Sequence, residues 1–299
     1  MSATTTGTDT MTEITTHTLD VPGAVLTYDV RPNESSAHPV LLMIGSPMGA
    51  AGFDHLASHF TDRTVVTYDP RMSDRSHRTD GATQTTVEEQ ADDLHRLISA
   101  LNVGPVDVFA SSGGAVNALE LVARHPEQVL TLVAHEPPDA AILPDAEAAL
   151  AAARDIHETY LRDGKGAGMA KFIALTSLKG EVPADWTDQP APDPAMFAMP
   201  TEDDGSRDDP LIGQTILTIT NYEPDFDALR AASTRIVLAA GAESKGELAH
   251  RGAFAVAARL GTEPVIFPSH HGGFLGGEHG WAGEPEMFAA NLHEVLDEA

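Results

Sequence analysis

Apolar residues occur in two textures along the chain. In Thr18-Leu19-Asp20-Val21 and in Ala24-Val25-Leu26-Thr27-Tyr28-Asp29-Val30 they alternate with polar ones, and Pro22-Gly23 between the two runs is a turn signal. A period of two joined by a tight turn predicts an antiparallel hairpin. Val40-Leu41-Leu42-Met43-Ile44 is instead continuously apolar up to Gly45, as in a strand covered on both faces of a parallel sheet. The runs 64–68, 106–110, 129–133, 235–239 and 264–267 repeat that texture. Between them the period lengthens. Over 86–101, Val87, Ala91, Leu94, Leu97 and Ile98 fall on one stripe, while Glu88, Glu89, Asp92 and Asp93 face away, which predicts an amphipathic helix. Helices are predicted likewise over 114–125, 246–260 and 284–296. Strands alternating with helices mean βαβ units, hence an α/β fold with a mostly parallel central sheet flanked by helices on both faces.

The rhythm breaks over 139–222. Helices are predicted there at 146–161, 166–178 and 211–220, around a Pro- and Asp-rich loop at 183–210 that long-loop statistics mark as a candidate mobile segment. The organisation expected is a flexible tail at 1–16, a core domain made of 17–138 and 223–299, and an inserted helical cap or lid at 139–222. No internal repeat is present.

Composition narrows the partners. The 299 residues are 42% hydrophobic with a formal charge of −27. That fraction is too high for a disordered chain, and the charge repels nucleic-acid phosphates and anionic lipid, so no nucleic-acid or membrane partner is expected. The partner expected is a small-molecule substrate, with the protein a monomer or homodimer. Cysteine is absent, which removes disulfides, thiolate metal sites and a thiol nucleophile. The Thr-rich start has no apolar core of a signal peptide, so a cytoplasmic location is expected.

The strongest chemical signal is Val106-Asp107-Val108-Phe109-Ala110-Ser111-Ser112-Gly113-Gly114, a strand running through small residues into a helix. It resembles the nucleophile elbow of the α/β-hydrolase fold superfamily. The sharp turn crowds the residues two before and two after the nucleophile, so both must be small. Ala110 and Gly114 satisfy this for Ser112, whereas Ser111 would need Phe109 to be small. Ser112 is the candidate nucleophile. Ile44-Gly45-Ser46-Pro47 resembles the family's His-Gly-x-Pro turn with Ile44 in place of the His, and the resemblance implies an oxyanion hole from the backbone N–H groups of Ser46 and Gly113. Asp69-Pro70-Arg71 resembles a loop-bracing segment of the same family.

Two histidines, His270 and His271, follow the last strand, where the family carries its catalytic His. His271, followed by Gly272-Gly273-Phe274, is the candidate. A metal site at His270, His271 and His279 lacks a carboxylate at ligand spacing, and neither metal nor cofactor is expected. For the acid, Ser244 stands where the family usually has Asp. Glu243, one residue earlier, is the first candidate, and Glu136, after the preceding strand, is the alternative. The resemblance implies a serine hydrolase acting on a carboxylic ester, thioester or lactone of small to medium apolar substrates through an acyl-enzyme. Alternatives are a serine-triad enzyme of other outcome, such as carbon–carbon bond hydrolysis or cofactor-free perhydrolysis, and a weakly catalytic ligand-binding relative.

Overall fold

The computed structural model describes residues 14–298. Its sheet begins with the predicted hairpin, β1 (Thr15–Val21) and β2 (Ala24–Arg31), antiparallel and in register from Val21 against Ala24 to Thr15 against Val30. Gly23 at the turn has φ +76°, the left-handed conformation that costs glycine least. Of the expected tail, residues 1–13 lie outside the described residues. Thr15 and Thr16 belong to the strand instead, and Thr16 Oγ1 donates to Asp29 Oδ1 at 2.6 Å.

The remaining strands are β3 (Leu41–Ile44), β4 (Val65–Asp69), β5 (His77–Arg78), β6 (Val106–Ser111), β7 (Val129–His135), β8 (Arg235–Gly241) and β9 (Val265–Phe267). They lie in the order β1-β2-β4-β3-β6-β7-β8-β9, with the short β5 on β2. Pairing is antiparallel where β2 is a partner and parallel from β4 onward. The helices are α1 (Asp54–Ser58), α2 (Val87–Leu101), α3 (Gly113–Arg124), α4 (Ala146–Asp163), α5 (Lys165–Thr176), α6 (Ile216–Thr220), α7 (Phe226–Ala231), α8 (Leu248–Leu260) and α9 (Pro285–Asp297). One face of the sheet packs on α2, α3, α7 and α8 through residues such as Leu94, Leu119, Leu229 and Val256. The other packs on α1 and α9 through Leu56, Phe288 and Leu292. The fold is that of an α/β protein with helices on both faces of a mostly parallel sheet.

Helix α2 starts at a capping box, in which Thr86 Oγ1 accepts from Glu89 N and Glu89 Oε2 accepts from Thr86 N. Asp93 corrects the helical-wheel reading: it is buried, and its carboxylate takes two 2.7 Å hydrogen bonds from Arg71. The arginine on the loop after β4 draws it inward. Asp69 braces the same region by accepting from Ala50 N at 2.8 Å and Arg75 Nε at 2.6 Å.

Residues 139–222 add no strand to the sheet. Ala152, Ile156, Tyr160, Leu175 and Ile212 from this segment meet in one apolar cluster, which Leu248 of α8 joins. The predicted helix at 211–220 is shorter, because Pro210–Thr215 forms a wide turn held by Asp209 Oδ1, which accepts from Leu211 N and Ile212 N. Within 183–210 the chain makes two short helical turns, Trp186–Asp188 and Pro194–Phe197. Among the described residues no helix is long and apolar enough to cross a membrane.

Asp139, at the junction of sheet and insertion, is fully buried and neither carboxyl oxygen has a hydrogen-bond partner among the described residues. Burial pushes its carboxyl up to about 8. Folded protein therefore keeps a proton that the unfolded chain releases above about pH 3.9, and the stability tied to this group is lost as pH rises from there to about 8. Asp139→Asn does not titrate. Its advantage over the parent should grow from pH 5 to pH 8 by on the order of 3 kcal/mol in urea unfolding, and an advantage independent of pH would refute the assignment.

Candidate active site

Ser112 stands between β6 and α3 with φ 57° and ψ −128°, a conformation that stores about 1–3 kcal/mol of strain at a non-glycine residue. Its N–H donates to His135 O at 2.9 Å, tying the elbow to β7. The neighbours explain why this register is imposed. A Cβ on Gly114 would lie 2.8 Å from both Gly45 Cα and Ile44 O, and one on Gly113 would lie 2.7 Å from Ser46 O. These contacts are backbone and cannot rotate away. Ala110 is fully buried opposite Ile44 and Ala134. Ser111 points elsewhere: it is buried, with Oγ 3.1 Å from His135 Nδ1.

Ser46 and Gly113 thus meet at the mouth of the elbow, and Gly113 N, at the first position of α3, has no intrahelical acceptor. Gln90 braces the Ser46 loop, its Oε1 accepting from Ser46 Oγ at 2.8 Å within a buried setting. Gln90 was not singled out from sequence, yet it lies three residues after Val87 and four before Leu94, on the apolar stripe of α2. A polar residue on that stripe is the signal that marks it.

His271 and Glu136 come together. His271 Nδ1 donates to Glu136 Oε2 at 2.6 Å. The carboxylate is fully buried, and its Oε1 accepts from Gly241 N at 2.8 Å and from Ser244 Oγ. Ser244 thus holds the Glu136 carboxylate in place against the imidazole. Glu243, the first candidate, is not brought to the imidazole: it is exposed, and its N–H donates to Ser269 O at 2.9 Å. His270 braces the loop, with Nδ1 accepting from Gly272 N at 3.0 Å and Nε2 donating to Ala282 O at 3.2 Å.

Electrostatics separate the two inner histidines. Burial alone would lower His271, but the hydrogen bond and charge of Glu136, with the charge of Glu247, outweigh it and hold the imidazole above its ordinary value. For Glu136 burial acts upward and is overcome by His271 and Ser244, so it stays ionised. His135, one residue before Glu136, is wholly buried, and that burial pushes it down to about 4. It is a neutral ring packed among Phe109, Phe274 and Phe288, 5.9 Å from His271.

Ser46, Ser112, Gly113 and His271 all line one cavity of about 330 Å³. Its roof comes from the insertion, with Ala153 of α4, Phe172 of α5 and Ile216 of α6 among the walls. A hydroxyl at a strained turn and an imidazole hydrogen-bonded to a buried carboxylate, on the walls of one cavity, form a set able to carry out acyl transfer.

A family profile described as alpha/beta hydrolase fold matches residues 38–191. The uncharacterised hydrolase YraK of Bacillus subtilis (strain 168) is 32% identical over 285 residues, covering 94% of this chain and 95% of that protein. Among solved structures, a thermophilic esterase from Thermogutta terrifontis superposes with TM-score 0.62 at 19% identity, over 95% of this chain and 98% of the other. The enol-lactonase from Burkholderia xenovorans LB400 gives TM-score 0.63 at 14% identity, over 94% and 100%.

Proposed function

Because the chain belongs to the alpha/beta hydrolase fold family, we propose that it is a serine hydrolase that cleaves a carboxylic ester, thioester or lactone of modest size, with Ser112 as nucleophile, His271 as base and Glu136 as its orienting acid. The observation that carries this reading is the 2.6 Å hydrogen bond from His271 Nδ1 to the buried Glu136, in a cavity whose walls also include Ser112. With Nδ1 engaged as donor, Nε2 is left to act as the base.

The steps follow from that arrangement. Ser112 Oγ attacks the substrate carbonyl carbon while His271 Nε2 takes its proton, and the carbonyl oxygen becomes an oxyanion held by the Ser46 and Gly113 N–H groups. The imidazolium formed is stabilised by Glu136. Collapse of the tetrahedral adduct breaks the bond to the alkoxy or thiolate group, which leaves with the proton from His271. Water, deprotonated by the same nitrogen, then attacks the acyl-enzyme and returns Ser112 as the free hydroxyl. The mostly apolar walls suit an apolar acyl or alcohol group, and a hydroxyl nucleophile supports ester chemistry over reactions that need a carboxylate at the elbow.

A fluorophosphonate should label the protein at one site, found at Ser112 by peptide mass spectrometry, and a panel of p-nitrophenyl esters from acetate to octanoate should contain substrates. Absence of both labelling and turnover would overturn the serine-hydrolase reading in favour of a ligand-binding role.

A further inference from the structure

Among the residues lining the cavity, Glu247 is the one carboxylate. It sits immediately before α8 in an extended conformation, with φ −67° and ψ 158°. Its backbone is fixed from both sides: the N–H donates to Ser244 O and the C=O accepts from Arg251 N, each at 2.9 Å. The side chain is not used in the same way. It makes no capping bond to α8, and neither an ion pair nor a hydrogen bond engages it among the described residues. The charged and titratable groups near enough to act on it are Glu136, Lys179, His271 and His270. Lys179 is exposed, and its Nζ lies 3.5 Å from Glu243 O, not on the Glu247 carboxylate. Burial, with the Glu136 charge, raises the Glu247 carboxyl above its ordinary value.

A half-buried carboxylate without a partner is unfavourable in a cavity walled by Leu175, Leu211, Ile216, Ile219 and Leu248. A structural role would have given it a helix cap or an ion pair, and it has neither. Trp281 lines the same cavity and is largely exposed, an aromatic residue of the type that attracts cations. The net charge of −27 adds a field that draws cations toward the protein.

We propose that Glu247 is a specificity residue that binds an ammonium group of the substrate, so that the preferred substrate is an ester with an apolar body carrying one protonated amine. The ester in this statement rests on the serine-hydrolase reading, whereas the ammonium site does not. Calorimetry with n-hexylammonium and hexan-1-ol at pH 7.5 separates the two. The wild-type protein should bind the ammonium about ten- to hundredfold more tightly than the alcohol, the range of a hydrogen bond to a charged group. Glu247→Gln should bring that ratio close to one, and Glu247→Asp should keep part of it. Equal binding of the two probes by the wild-type protein, or a ratio unchanged in Glu247→Gln, would overturn the proposal. Among esters, the p-nitrophenyl ester of 6-aminohexanoate should be turned over with higher kcat/KM than that of hexanoate. If neither ester is hydrolysed while the ammonium preference persists, the ester reading falls and the cation site stands.

Discussion

Ser112→Ala should reduce kcat for any hydrolysed ester by about a million-fold, the scale seen when a triad nucleophile is removed, while Ser111→Ala should leave most of the activity in place. The two hydroxyls are adjacent in sequence but meet different surroundings. Ser112 has the left-handed φ of 57° that lifts its side chain out of the strand–helix turn, and it lines the cavity. Ser111 is the last residue of β6, buried beneath with its Oγ against His135. Removing the Ser111 hydroxyl leaves His135 short of a hydrogen bond in the core and should lower stability by about 1–3 kcal/mol, read as a lower urea midpoint. Steady-state kinetics and fluorophosphonate labelling of both variants check the assignment. Equal loss of turnover in two folded variants would refute it.

Glu136→Gln should lower kcat on the order of ten-thousand-fold, and Glu243→Gln should have little effect. In the role proposed for it the carboxylate accepts the hydrogen bond from His271 Nδ1–H and stabilises the imidazolium formed in the transition state, so an amide in its place removes the charge and permits the wrong tautomer. The pH dependence distinguishes this positioning role from simple loss of structure. As a base His271 must be neutral, so kcat/KM rises with pH through the imidazole pKa. Glu136 holds that value above the ordinary range, which places the wild-type acid limb above about pH 6.5. With the Glu136 charge gone, only the charge of Glu247 is left to oppose burial, and the limb of the residual activity should move to lower pH. A limb that stays in place, or a larger loss in Glu243→Gln, would remove Glu136 from the role proposed for it.

Much of this was legible in the chain because it follows from local constraint. The continuous apolar runs mark the parallel strands, and the need for small residues at 110 and 114 singles out Ser112 rather than Ser111 as the candidate nucleophile. The acid was not legible by the same means. Strands β7 and β8 are adjacent and parallel, so their carboxyl ends lie side by side although Glu136 and Gly241 are 105 residues apart in the chain. Glu136 reaches the imidazole from a backbone with φ 48°, a conformation that sequence does not announce at a glutamate. Buried polar partners were missed for a related reason. Asp93 was assigned outward by its charge, but Arg71 arrives from a different element, and helical periodicity alone carries no information about an incoming counter-ion. Glu247 fell outside every motif, since only the folded cavity distinguishes it from other surface carboxylates.

The proposed placement of the acid at 136, with serine at 244, has an evolutionary corollary. One imidazole has room for one carboxylate, and the two strand ends are alternative addresses for it. A chain with Asp at 244 and Glu at 136 would set two like charges against a single histidine and lose the Ser244 hydroxyl that donates to Glu136, raising the pKa of at least one acid. A chain with neither would leave His271 without an orienting charge. Substitutions at these positions are therefore epistatic: each is harmful or neutral according to what the other site holds. Lineages should carry them as a linked pair, with serine at 244 as the permissive state from which the acid can migrate between strands.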